Sequence, residues 1–532
     1  MSTTTFDYIV VGAGSAGCVV AQRLVQAGHT VLVLEAGPTD NIRFVKMPGA
    51  FVRVIGTERS WMYETVPQAA ANNRKMFVPQ GRMTGGSSSL NAMVYIRGTE
   101  RDYDDWAATG CTGWGWADVL PVFKRAESNM RFSNAHHGTQ GLLRVSDTRY
   151  RHPLSLAFVK AAQEAGLPYN DDFNGERQAG VGFYQTTTVD GVRGSTSATY
   201  LASIKDNSKF SLINGACATR VLFTGTRAVG VEYRLEDGSM HTAHANREII
   251  LTAGALSTPK LLHVSGVGPA AWLQSIGVPV VANRAGVGEN YHDHLEVITH
   301  GKCKEPISLF GQDKGFTAMK HGIQWELFKT GLLTSNIVES GGFVDTSGCG
   351  RPDIQFHVLP ALAGDVDNPP PVMHGLSINP CFLRPESRGV VKARTDNAMD
   401  AAFFDSRSLS VQSDVDTLVR GLKLARKILR SPSMAQVVSE ELSPSANEAI
   451  SDVELEQYVR QRAKTVYHPV GTCKMGSDAM SVVDIKLRVI GVQNLRVCDA
   501  SVIPSIPSGN TNAPTIMIAE RCADFILTHN LD

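Results

Sequence analysis

The chain of 532 residues has no excess of charge of either sign: Lys plus Arg number 51, and Asp plus Glu number 51. A nucleic-acid binder needs clustered positive charge to neutralise phosphates, so that class is excluded. No apolar run approaches the ~18 residues of a membrane-spanning helix, and no transmembrane segment is expected. Met1 to Phe6 are polar and run straight into a strand pattern, without the basic and apolar layout of a secretory leader. This points to the cytoplasm, with a peripheral contact to the inner membrane left open. The nine cysteines form no C-x-x-C pair, and an odd count with such spacing reads as reduced thiols rather than disulfides or a metal site. Repeats and low-complexity tracts are missing. Charged residues are only 19% against 43% apolar, which excludes a disordered chain. No Gly-x-Ser-x-Gly elbow sits at a strand-to-helix turn, so a hydrolase has no support.

What is plentiful is glycine, 49 residues without a period, a sign of close backbone approaches. Phe6 to Val11 reads as a buried strand, Ser15 to Ala27 as a helix stopped by Gly28, and Thr30 to Leu34 as a second strand ending in Glu35. Gly12-Ala13-Gly14-Ser15-Ala16-Gly17 links the first strand to the helix. The first glycine makes the tight turn, the second admits a pyrophosphate, and the third lets helix and strand pack. The helix N-terminus offers free N–H groups to phosphates, and Glu35 can accept the hydroxyls of an adenosine ribose. This dinucleotide fingerprint does not separate FAD from NAD. Later segments, Glu248 to Ala255 and Leu495 to Asp499, return to buried-strand patterns, whereas residues 300–460 are more polar and carry the proline run Asn368 to Pro371. A nucleotide-binding domain built from separated segments, with a second domain inserted, is expected.

Gly81 to Met93 resembles the first signature of the glucose-methanol-choline (GMC) flavin oxidoreductases. Gly254 to Lys260, closing on Ser265 to Gly268, resembles the second, and Tyr467-His468-Pro469 and Gly509 to Thr515 resemble the C-terminal catalytic segments. The resemblance runs from residue 6 to about 527 in order and implies FAD as the cofactor. It implies an α/β fold: a Rossmann-like FAD-binding domain from 1–155, 190–300 and 462–532, and an α+β substrate domain from 156–189 and 301–461 whose sheet covers the flavin face. Implied cofactor contacts are Gly12, Gly14, Ser15, Ala16, Gly17, Glu35 and Ala36; Trp61, Arg82, Gly85, Gly86 and Ser87; Asn91, Ala92, Met93 and Val94; and Ala218, Asp499, Ala500, Asn510 and Thr511. Some relatives link flavin through a histidine where this chain has Leu90, so non-covalent FAD is expected.

His468 and Asn512 are the implied catalytic pair. Pro469 favours an extended backbone at the histidine, whose imidazole can take a hydroxyl proton near neutral pH. A neutral amide can hold the developing alkoxide, and Asn512 can also cap the helix that Pro514 opens. The implied reaction is FAD-dependent oxidation of an alcohol CH–OH to a carbonyl, with hydride passing to flavin N5. The wording of the motifs is closest to bacterial dehydrogenases of the sorbose, polyethylene-glycol and choline type, and Asn72 to Gln80 and Gly166 to Gly175 lean towards the sorbose-dehydrogenase branch, hence a sugar or polyol substrate and a quinone or artificial acceptor. An oxidase using O2, and an FAD-containing lyase of the hydroxynitrile-lyase type, stay open. His292-Asp293-His294 mimics a metal site, yet its surroundings match the FAD domain and no metal is expected. Glu339 reads equally as a cavity residue or a structural carboxylate.

Overall fold

Two unbroken apolar stretches have no polar face to show to water, so each must be covered on both sides. In the computed structural model, which describes residues 5–364 and 369–529, they are the strands Thr5–Val11 and Val31–Glu35. Residues 1–4 of the expected leader-free terminus and Asn368 of the proline run lie outside the described residues. The two strands pair in parallel with each other, and Val31–Glu35 pairs in parallel with Phe210–Asn214. Thr5–Val11 also pairs in parallel with Met240–Leu251, whose end pairs in parallel with Leu495–Val497. The antiparallel strands Cys217–Thr224 and Arg227–Arg234 complete a seven-stranded sheet. The last strand to join comes from the far end of the chain, so this half closes only when the C-terminal segment returns.

Helix Ser15–Gln26 covers the sheet and packs against the C-terminal helix Asn512–His529. Its small face, including Ala16, Cys18 and Ala21, is buried. Gly17 serves this packing, as the fingerprint requires: a Cβ there would stand 1.9 Å from the Gly12 carbonyl oxygen.

A second sheet of eight strands is antiparallel. Gly180–Phe183, Ser340–Val344, Ile354–Leu359, Gly375–Phe382, Thr299–Cys303 and Val438–Ser443 lie in that order, with Leu295–Glu296 and Lys464–Thr465 beside them. Alternation of side chains along a strand decides its two faces. Ile354, Phe356 and Val358 enter a core shared with helices Pro153–Glu164 and Gln412–Leu429. His357 and Leu359, one step out of phase, face the first half of the molecule across a cavity. The fold is therefore α/β, a Rossmann-like half and an α+β half. The expected boundaries at 300 and 462 cut through the second sheet, because Leu295–Glu296, Thr299–Cys303 and Lys464–Thr465 belong to it. Leu295–Glu296 and Lys464–Thr465, two residues each, are too short for any periodicity to reveal.

Among the described residues, no helix is long and apolar enough to cross a membrane, and no cluster of His, Cys, Asp or Glu could hold a metal ion. All nine cysteines are unpaired.

Candidate active site and cofactor cradle

One continuous cavity of about 1510 Å³ runs between the two sheets, above the ~300–1,000 Å³ usual for a single small-molecule pocket. Gly12, Gly14, Ser15, Ala16, Glu35 and Ala36 line one end. A Cβ at Gly12 would stand 2.7 Å from the Thr252 carbonyl oxygen, so packing alone demands glycine there. Gly14 differs: a Cβ would meet nothing closer than 3.8 Å, so the space it leaves opens on the cavity. A pyrophosphate filling that space against the helix N-terminus fits both observations. Glu35 accepts the Ala13 and Gly37 N–H groups, each at 2.9 Å, one on each carboxylate oxygen. Each oxygen keeps a lone pair for a ribose hydroxyl. Burial pushes the Glu35 carboxyl up to about 7, against the pull of those N–H groups and of Arg82.

Trp61, Gly86, Ser87 and the run Asn91 to Val94 line the middle of the cavity, opposite Ala218. Asp499, Ala500 and Thr511 lie on the same wall as the C-terminal helix. The Asp499 carboxylate accepts the Gly254 N–H (2.9 Å), the Thr258 hydroxyl (2.7 Å) and the Ser501 N–H (2.8 Å), so it clamps three loops at the cavity edge. Three of the expected contacts stand behind the lining. Gly17 packs helix on strand. Arg82 lies over the Trp61 ring, 5.0 Å from its centroid, and donates to the Glu58 carbonyl at 3.0 Å, so it backs an aromatic wall. Gly85, at φ +85°, donates its N–H to the Ala13 carbonyl at 2.7 Å and ties the serine-rich turn to the glycine loop.

The structure does not bring the two residues of the expected catalytic pair into contact. Asn512 is the first residue of the C-terminal helix, and its amide donates to the Ser15 hydroxyl at 2.9 Å, which joins the two helix N-termini at the cavity. The amide that reaches the imidazole is Asn510, whose Nδ2 lies 3.2 Å from His468 Nε2. Spacing from His468 could not separate the two asparagines; the turn at Gly509, φ +127°, decides which one faces it.

The surrounding bonds assign the tautomer. Gln355 Nε2 donates to Asn510 Oδ1 at 3.1 Å, which leaves Asn510 Nδ2 to donate to His468 Nε2. His468 Nδ1 lies 3.1 Å from His294 Nδ1, and His294 Nε2 donates to the Leu383 carbonyl at 3.0 Å. His294 therefore offers a lone pair at Nδ1, His468 carries its proton on Nδ1, and His468 Nε2 is a base turned to the cavity. Loss of hydration is the main reason the His468 imidazole is held well below its ordinary pKa, helped by the neighbouring His294 and His357. Burial takes His294 down to about 3. Both rings are neutral at physiological pH.

The loop is held as firmly as the ring. His468 N–H donates to Asp293 Oδ1 at 2.8 Å, and Thr465 and Tyr291 donate hydroxyls to Asp293 Oδ2. The preceding Tyr467 sits at φ +69°, a costly conformation for a residue with a side chain, maintained by these bonds. Thus the His292-Asp293-His294 run is positioning machinery. His292 Nε2 accepts the Ile506 N–H at 2.9 Å and its Nδ1 donates to the Asn290 carbonyl at 2.7 Å, which pins the loop before Asn510.

Opposite the glycine end, the second sheet brings a polar group that sequence reading missed. Glu296 lies 2.9 Å from Lys464 Nζ, 3.0 Å from His357 Nδ1 and 2.9 Å from Asn379 Nδ2, and all four residues line the cavity. Burial would raise the Glu296 carboxyl, but Lys464 and His357 outweigh it and bring it to about 2. Asn379 Oδ1 has no protein donor. These residues lie up to 168 positions apart in the chain, and no local pattern announces them. Glu339 is fully buried, accepts the His152 N–H at 2.6 Å and the Ser335 hydroxyl, and does not line the cavity, so it is a structural carboxylate.

The glycine loop, the Glu35 carboxylate and a neutral imidazole beside an amide line one cavity between the two sheets. Comparison with known proteins gives the family: residues 6–296 and 385–519 match GMC oxidoreductase, and the chain belongs to it. It is an FAD flavoprotein of the alcohol-oxidising class. It is 42% identical over 533 residues to an alcohol dehydrogenase [acceptor] of Pseudomonas putida, covering 98% of this chain and 96% of that one. It is 42% identical to the mitochondrial choline dehydrogenase of Mus musculus, covering 98% and 90%. Among solved structures it resembles pyridoxine 4-oxidase from Mesorbium loti, with a TM-score of 0.89 and 28% identity over 98% of this chain and 99% of that one.

Proposed function

We propose that this enzyme oxidises the primary alcohol of a neutral, hydroxyl-rich molecule, a sugar or polyol such as sorbose, and passes the electrons to a quinone or an artificial acceptor. The observation that carries the reading is the Nε2 lone pair of His468 beside the Asn510 amide at the cavity wall. A substrate hydroxyl that takes the place of the Asn510 N–H at Nε2 donates its proton there and accepts from the displaced amide, so the alkoxide forms against a donor. The glycine loop, Glu35 and the two linked helix ends would hold the pyrophosphate and ribose of FAD, and the serine-rich turn with Asn91 to Val94 would hold the remainder; the chemistry FAD would supply there is acceptance of a hydride from the carbinol carbon. Leu90 borders the cavity and has no nucleophile, in keeping with non-covalent FAD.

A neutral substrate is favoured by the far wall. The Glu296 carboxylate is already compensated by Lys464 at 2.9 Å, so a fixed cation finds no free counter-charge. The high identity to choline dehydrogenases favours the rival reading, a quaternary ammonium alcohol. A cytoplasmic location with a peripheral contact at the inner membrane belongs to the same proposal.

A screen of sugars, polyols, simple alcohols and choline with an artificial acceptor, ranked by kcat/KM, tests the substrate. Choline ranking first would overturn it. Anaerobic bleaching of the flavin by substrate, followed by stopped-flow mixing with air, tests the acceptor; reoxidation in milliseconds makes the enzyme an oxidase. Cleavage of a cyanohydrin without bleaching by any alcohol would make it a lyase.

A further inference from the structure

Helix Gly315–Phe328 is apolar on two opposite faces. On one face Ala318, His321 and Gly322 border the cavity, and Trp325 is buried beside Met47, Ala50 and Leu333, its indole N–H donating to the Gly191 carbonyl at 2.8 Å. At ~100° per residue the other face carries Phe316, Met319, Ile323 and Leu327. These are 76, 53, 51 and 68% exposed, and Phe328 at the helix end is 66% exposed. Single exposed apolar residues are ordinary, but a contiguous stripe marks an interaction surface.

The stripe continues around the rim of the cavity. Arg53 donates to the Asp313 carboxylate at 3.1 Å and lies over the Phe44 ring, 5.9 Å from its centroid, so the loop before the first half meets the loop before the helix. Phe44 and Val52, about half exposed, border the cavity from that side. The two segments, 41–53 and 311–330, carry Arg43, Lys46, Arg53, Lys314, Lys320 and Lys329 against only Asp313 and Glu326, in a chain whose charges balance as a whole. A second copy placed face to face would set basic rim against basic rim. An anionic surface complements it.

We propose that this lip docks on an anionic phospholipid bilayer, with Phe316, Met319, Ile323 and Leu327 dipping below the headgroups and the lysines among the phosphates. Apolar face plus basic flank is what interfacial binding requires. The proposal deepens the peripheral-contact reading by naming its surface and rests on that reading for its purpose: a lipid-soluble acceptor enters the cavity directly from the membrane.

The test is sedimentation of the holoenzyme with vesicles of one part phosphatidylglycerol to three parts phosphatidylcholine, and with phosphatidylcholine alone. Wild type binds the anionic vesicles at least tenfold more tightly. The double variant Phe316→Ser, Leu327→Ser loses at least tenfold in that binding, with flavin absorbance and turnover of a water-soluble acceptor unchanged, since neither side chain lines the cavity. Lys320→Glu keeps the apolar face and loses several-fold. Equal binding by wild type and double variant, or no preference for anionic lipid, overturns the proposal. A wild-type dimer in sedimentation velocity that the double variant converts to monomer, without vesicle binding, overturns it in favour of self-association. Lack of turnover with every alcohol would sink the substrate reading and leave the vesicle result untouched.

Discussion

Replacing His294 by leucine tests the proton arrangement at the site. His294 does not line the cavity; it accepts the Nδ1 proton of His468 at 3.1 Å and is itself oriented by the Leu383 carbonyl at 3.0 Å. Leucine offers no acceptor. The His468 Nδ1–H then faces an apolar side chain, and a buried donor without a partner costs ~1–3 kcal/mol. The ring escapes that cost by moving its proton to Nε2, where it can no longer act as a base. Each turnover must then restore the working tautomer against that same ~1–3 kcal/mol, so kcat falls roughly 5- to 150-fold. The flavin should remain bound, because residue 294 is remote from the glycine cradle. His294→Asn places an amide oxygen near the position of the lost nitrogen and should recover most of the rate. The assay is dye-linked turnover at saturating substrate, normalised to flavin absorbance. A leucine variant with full flavin and a kcat within twofold of wild type would refute the assignment of the proton to Nδ1.

Asn510→Ala removes the donor facing His468 Nε2 and should lower kcat by roughly 10- to 1,000-fold, in the range of lost oxyanion donors, whereas Asn512→Ala should act mainly through flavin retention; equal kcat losses with full flavin would contradict the reassignment. On the proposed mechanism the unprotonated His468 is the active form, and its pKa is held well below 6.5, so kcat/KM should be flat across neutral pH and fall only on the acid side, and an inflection above pH 7 would count against it. Glu35 in the ligand-free protein titrates near 7 and must be ionised to accept two ribose hydroxyls. FAD affinity of the apoprotein should therefore weaken as pH falls below 7, by up to about tenfold per unit, measured by fluorescence quenching; a Glu35→Gln variant should lose that pH dependence. Lys464→Met frees the Glu296 carboxylate, so kcat/KM for choline should rise relative to a neutral polyol; no change in the ratio would remove the charge argument for a neutral substrate.

The dinucleotide half was legible because its signals are local. Gly17 is demanded by the carbonyl of Gly12, five residues earlier, and Val31–Glu35 ends at its carboxylate through ordinary strand geometry. Likewise Tyr467-His468-Pro469 advertised itself by a backbone restricted on the proline side. Leu90, by having no nitrogen, already spoke on flavin linkage. Such features depend on neighbours a few residues away, and the residue types alone determine them.

Only the tertiary structure decided which groups meet. Asn510 and Asn512 are two residues apart and chemically identical, yet one faces His468 and the other Ser15, because Gly509 turns the chain and the helix begins at 512. His294 contacts a ring 174 positions away, and Glu296, His357, Asn379 and Lys464 converge from four strands. The outer face of Gly315–Phe328 looks like core in the sequence and lies on the surface, since apolar composition cannot say which of two faces the rest of the molecule covers. Side-chain partners of this kind follow from how two sheets pack across a cavity, a relation between distant segments that no short stretch of chain contains.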